Sequence, residues 1–186
     1  MLPSSEAFQA AIFSALCACL SLSPASAEAS ALIRRAYQSP EPAPQPSRDT
    51  DVLYYDALPE EAPESLFQFP YAAEPAVSSH RPAVSSFLSI QLLVVAYGPH
   101  AEEYCHRIRS FLFLDGAGLP RSILRRAGIY PVPRPPLPVL LREEQGSLWR
   151  TRADLTVSLR VSDTLIRSDP RPAVSVPPAV VVHTDQ

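Results

Sequence analysis

Trp149-Arg150-Thr151-Arg152-Ala153-Asp154-Leu155-Thr156-Val157-Ser158-Leu159-Arg160-Val161 is the stretch that decides the fold. Trp149, Thr151, Ala153, Leu155, Val157, Leu159 and Val161 alternate with Arg150, Arg152, Asp154, Thr156, Ser158 and Arg160. A period of two is the signature of a strand with one dry face and one wet face. A slip of one residue would turn the whole apolar set to water, so the register of this strand is strongly fixed.

Working upstream, Leu88, Ile90, Leu92 and Val94 alternate with Ser89, Gln91 and Leu93, which predicts a strand from Ser86 ending at Tyr97-Gly98. Pro99 suits the first turn of a helix, and Glu102 and Glu103 lie near the positive end of its dipole. Tyr104, Ile108, Phe111 and Leu112 form the apolar stripe of that helix, which Gly116 and Gly118 stop. A second short helix starts at Pro120, turns Ile123 and Leu124 inward and ends at Gly128.

In the first part of the chain, Ser4 to Leu20 reads as a helix with Phe8, Ile12, Leu16 and Leu20 at four-residue spacing. Ala31 to Gln38 and Val52 to Leu58 read as short strands, joined by Ser39-Pro40-Glu41-Pro42-Ala43-Pro44-Gln45-Pro46 as a polyproline spacer. Pro59 to Pro82 is acidic, rich in proline and without periodicity, and reads as a functional loop or partly disordered. Ile129 to Pro138 is extended, and Val174 to Val182, interrupted by Pro177-Pro178, reads as a last strand at a sheet edge.

The expected fold is therefore α+β: a mainly antiparallel sheet with helices packed on one face. One domain spans 1–186, with long proline-rich loops at about 39–50, 59–85 and 131–147 and an extended tail at about 168–186. The face opposite the helices carries Arg150, Arg152 and Arg160.

Proline supplies 22 of the 186 residues and glycine only 5, so the connections are stiff. Every one of the 16 basic residues is arginine. Met1 to His106 holds four arginines against twelve acids, and Arg107 to Arg171 holds twelve against six. That asymmetry fits opposite surfaces meeting between neighbours, a basic patch for nucleic acid, or a mixed solvated surface. A net charge of -3, with no basic run longer than Arg34-Arg35 or Arg125-Arg126, speaks against a dedicated DNA-binding domain.

An apolar run from Ala10 to Leu22 followed by Ala25-Ser26-Ala27 resembles a signal peptide, and Leu16-Cys17-Ala18-Cys19 loosely resembles a lipoprotein box. Glu6 and the lack of any Lys or Arg before the run give the wrong sign for export, and the run is too short to span a membrane. An exported or lipid-anchored envelope protein is the alternative reading. Cys17, Cys19 and Cys105 make a poor disulfide framework, so free thiols are expected.

The chain carries no nucleophile elbow, P-loop, dinucleotide fingerprint or zinc signature. His100, Glu102, Glu103, Cys105 and His106 crowd one helix, but Cys105 and His106 splay about 100° apart and His100 and His106 do not share a face. His80, His106 and His183 have no Ser or Cys nearby in a nucleophile context. No catalytic, cofactor or metal residue is expected. Arg134-Pro135-Pro136-Leu137-Pro138 resembles a polyproline ligand but reads more simply as a stiff loop, and Arg107, Arg109, Arg121, Arg125 and Arg126 suit phosphate or the acids of a neighbouring copy equally.

Val94-Val95-Ala96-Tyr97-Gly98-Pro99-His100-Ala101, followed by Arg107-Ile108-Arg109, resembles the bacteriophage neck terminator, or tail-terminator, family, in which a strand ends in a Tyr-Gly-Pro turn and opens a helix. Gly128-Ile129, the proline-rich connector and Trp149-Arg150-Thr151-Arg152-Ala153-Asp154-Leu155 resemble the family's aromatic, arginine-rich entry into a long strand. Tyr97, Gly98, Pro99, Arg107, Trp149, Arg150 and Arg152 carry the motif. The acidic stretch Pro59 to Pro82 and the proline-rich tail depart from the pattern. The resemblance implies a non-enzymatic virion subunit, without cofactor, that forms a sixfold ring with itself. That ring caps the tail tube and meets a head-completion or connector protein, with DNA only passing through and no membrane involved. Before assembly the subunit belongs in the host cytoplasm.

Overall fold

A computed structural model of the chain describes residues 5–36, 49–60, 68–72, 82–145 and 148–166. The element order is α1 (Ser5–Cys19), α2 (Ala27–Leu32), β1 (Ile33–Arg35), β2 (Val52–Pro59), β3 (Gln68–Ala72), β4 (Pro82–Tyr97), α3 (Ala101–Phe113), α4 (Leu119–Arg126), β5 (Ile129–Pro131), β6 (Val139–Gln145) and β7 (Leu148–Ile166). The strands form a seven-stranded sheet in the order β1-β2-β4-β7-β5, with β3 on β4 and β6 on β7. Every pairing is antiparallel except that of β1 with β2. The fold is α+β, and its sheet is mixed.

The spine is the pairing of β4 with β7, unbroken from Ala83↔Ile166 to Tyr97↔Arg152. This register puts Leu92, Val94 and Ala96 on the same face as Ala153, Leu155 and Val157, all of them buried. The alternating sets must coincide, because a mismatch would leave one of them in water. α3 lies on this face with Ala101, Cys105, Ile108 and Leu112 buried, and the Cys105 thiol donates to the Ala153 carbonyl over 3.5 Å. α1 closes the core with Ile12, Leu16, Cys17 and Cys19, and Leu20 follows in the turn after it. Each such aliphatic side chain contributes about 1.5–3 kcal/mol through burial.

Several expectations need correction. Of the strand read over Ala31 to Gln38, Ile33–Arg35 is β1, while Ala31 and Leu32 end a short helix and residues 37–38 lie outside the described residues. Ser26 caps that helix by accepting from the Ala29 N–H at 3.1 Å. Within the stretch read as a loop from Pro59 to Pro82, Gln68–Ala72 forms β3 at the sheet's margin, where Pro70 is tolerated. The loop expected at about 131–147 contains β6, which folds back on β7 as a hairpin. α3 begins at Ala101 with His100 as N-cap, so Pro99 belongs to the turn before it. The proline spacer 39–46 and the expected last strand 174–182 lie outside the described residues.

Candidate functional site

Tyr97 ends β4 and pairs with Arg152 of β7, so its ring projects on the sheet face away from the helices, the face that also carries Arg150 and Arg152. The Arg150 guanidinium carbon lies 4.7 Å from the Tyr97 ring centroid and that of Arg152 lies 5.7 Å away. Both distances fall within the range of cation–π attraction. Tyr54 on β2 meets Tyr97 edge-on, with centroids 6.2 Å apart and planes at 78°.

Carboxylates fix this cluster from the outside. Arg152 donates through Nε to Asp154 Oδ1 at 2.7 Å and through Nη2 to Asp154 Oδ2 at 2.8 Å, a two-pronged contact, and through Nη1 to Glu143 at 3.4 Å. These bonds, with Asp154 first, raise the Arg152 pKa and keep the group charged. Burial, and after it the neighbouring Glu143 carboxylate, push the Tyr97 hydroxyl pKa up.

Arg150 is only 6% exposed. It donates from Nη2 to the Thr50 carbonyl at 3.3 Å, while its buried Nε has no partner among the described residues. A donor left unmet in this way costs about 1–3 kcal/mol, which the stacking on Tyr97 offsets in part.

The turn leaving Tyr97 is fixed by Gly98 and Asp51. Gly98 has φ +114°, and a Cβ at this position would lie 2.8 Å from the Asp51 Cα. Asp51 Oδ1 accepts from the His100 N–H at 3.0 Å, and Asp51 Oδ2 lies 2.7 Å from His100 Nδ1. The bond to Asp51 raises the His100 pKa. Because Asp51 already occupies the amide end of α3, that helix start offers no open anion site.

Of the seven motif residues, the structure brings Tyr97, Gly98, Arg150 and Arg152 together, with Pro99 exposed in the turn beside them. Trp149 sits on the opposite face of β7, paired with Glu144 and 60% exposed. Arg107 is elsewhere, reaching from α3 to Ser21 Oγ at 3.2 Å. Tyr54, Asp51, Glu143 and Asp154 complete the cluster, and the sequence reading singled out none of them as site residues. Asp154 had a usable signal, two positions from Arg152 on the same strand face.

Chemically the arrangement is a brace. Arg152 is neutralised by fixed carboxylates, Arg150 is held by the Thr50 carbonyl and the Tyr97 ring, and burial raises the Tyr97 hydroxyl pKa. The thiols of Cys19 and Cys105 are pushed up to about 12 by burial, the opposite of an activated nucleophile. Among the described residues no three His, Cys, Asp or Glu side chains gather as a metal site, and no helix is long and apolar enough to cross a membrane. No protein-family model matches this chain, and a search of curated proteins gives no match either.

Proposed function

We propose that this chain is a structural subunit of the phage neck, assembling as a ring that terminates the tail tube and joins it to the head connector. The observation that carries the assembly reading is the β6–β7 hairpin. Arg142 to Gln145 pair with Leu148 to Thr151 beyond the point where β4 ends at Tyr97↔Arg152, so the tip extends past the main sheet. Val139, Leu140, Leu141 and Trp149 are 56%, 49%, 42% and 60% exposed, on both faces of the hairpin. Four exposed large apolar side chains grouped in this way mark a surface suited to cover by a neighbour.

The resemblance at Tyr97-Gly98-Pro99 and Trp149 to Leu155 supplies the phage assignment. The brace around Tyr97 supports it by holding the root of the hairpin rigid, which lowers the entropy cost of docking. Negative-stain imaging of the purified protein mixed with phage tail tubes tests the reading. Ring-shaped density at tube ends is expected, and bare tube ends would overturn it.

A further inference from the structure

The two lateral margins of the sheet differ, and they complement each other. On one margin the β6–β7 hairpin presents Trp149 on the helix-side face, with Glu144 directly across from it and Arg142 one pair further along that face. On the other margin, beside β1, two adjoining hollows of about 400 and 490 Å³ share Phe13, Arg35 and Tyr55. Glu6 and Gln9 of α1 and Arg34 of β1 complete the walls.

We infer that the Trp149 hairpin tip of one subunit docks in the α1–β1 groove of the next. This deepens the ring reading proposed above and rests on it. Size, charge and geometry support the match. Hollows of this volume fall in the range that holds small organic molecules, about 300–1,000 Å³, so an indole fits. Glu144 meets a rim carrying Arg34 and Arg35, and Arg142 meets Glu6, so each side offers the charge the other lacks. Gln9 lines the groove beside Phe13 and Tyr55, whose rings offer an aromatic wall to the indole.

The occupant is a second copy. β1 and β6 lie at opposite ends of the strand order, four strand spacings or about 19 Å apart, so a subunit cannot fill its own groove. Two different patches that fit each other generate a head-to-tail contact, which closes into a ring when the rotation permits.

Trp149 is the only tryptophan of the chain, so its fluorescence reports on its own burial. Sedimentation velocity and tryptophan emission are measured on the full chain over a concentration series. Wild type is expected to associate with a blue shift in emission. Trp149→Ala is expected to weaken association about 30-fold or more, as aromatic anchors at interfaces do. Glu144→Arg and Arg35→Glu each weaken it, and the two together in one chain restore it, because each contact then pairs a swapped residue with a swapped residue. Circular dichroism of each variant confirms an unchanged fold. If wild type assembles with unshifted emission, with Trp149→Ala assembling equally well and no rescue by the double swap, this docking is wrong and the ring reading stands. If wild type stays monomeric at its highest soluble concentration and leaves tail tubes bare, both fail.

Discussion

Arg150 stacks on Tyr97 from a strand position beyond the end of β4, so its side chain leans back 4.7 Å over the ring and ties the hairpin to the sheet. If this contact stabilises the hairpin root, the two residues are energetically coupled. A double-mutant cycle with Tyr97→Leu and Arg150→Met, followed by chemical denaturation, is expected to give a favourable coupling of about 0.5–2 kcal/mol. A coupling of zero would remove the brace from the account.

Gly98→Ala is expected to be among the most damaging single substitutions. The backbone at φ +114° disfavours any side chain, and the new methyl group would press on the main chain at Asp51. The expected loss is about 2–4 kcal/mol, seen as a fall in Tm of roughly 5–12 °C. A variant as stable as wild type would refute the stated packing of Gly98 on Asp51.

His100 gives a pH-dependent signature. Its pKa in the folded chain is raised above 6.5 by Asp51. The Asp51 contact therefore contributes stability that is fully present below about pH 6.5 and is lost as pH rises through the folded-state pKa. Titration by NMR is expected to place His100 above the ordinary histidine value. In Asp51→Asn it should fall back toward 6.5, and an unchanged midpoint would exclude the pair.

α1 tests the export reading directly. Ile12 and Leu16 are each 1% exposed in the core, so Ile12→Ala and Leu16→Ala are expected to cost about 2–5 kcal/mol each in denaturant unfolding. A chain beginning at residue 28 lacks all of α1 and is expected to lose cooperative unfolding. Recovery of a stably folded protein of that length by intact mass would instead favour the exported reading.

The thiols offer a simple check on burial. Cys17, Cys19 and Cys105 are free and buried, with raised pKa values. A disulfide reagent at pH 8 is expected to modify them only slowly in the native protein and rapidly in denaturant. A fast-reacting thiol in the folded state would contradict the packing of α1 or α3.

The parts of the fold that were legible in the sequence are those with one dry and one wet side. β4 and β7 announce themselves through alternation, and α1 and α3 through Ile12, Leu16, Ile108 and Leu112 at helical spacing. β6 was hidden because both of its faces are exposed, so Val139-Leu140-Leu141-Arg142 has no inside-outside pattern to read. β3 was hidden by Pro70, and α2 by its brevity, with the Ser26 cap as its main local mark.

Tyr97, Arg150 and Arg152 were visible as a motif, but their contact depends on the pairing of β4 with β7, which no local spacing encodes. The partnership of Asp51 with Gly98 and His100 joins residues far apart in sequence and left no local trace.

The ladder between Ala83↔Ile166 and Tyr97↔Arg152 has a mechanical consequence. Hydrogen bonds of an antiparallel pair run across the strands, so a pull applied along them loads the whole ladder at once, whereas a pull from one end opens it rung by rung. A subunit strained lengthwise through these two strands behaves like a shear-loaded joint, suited to a place where tension passes from one large body to another.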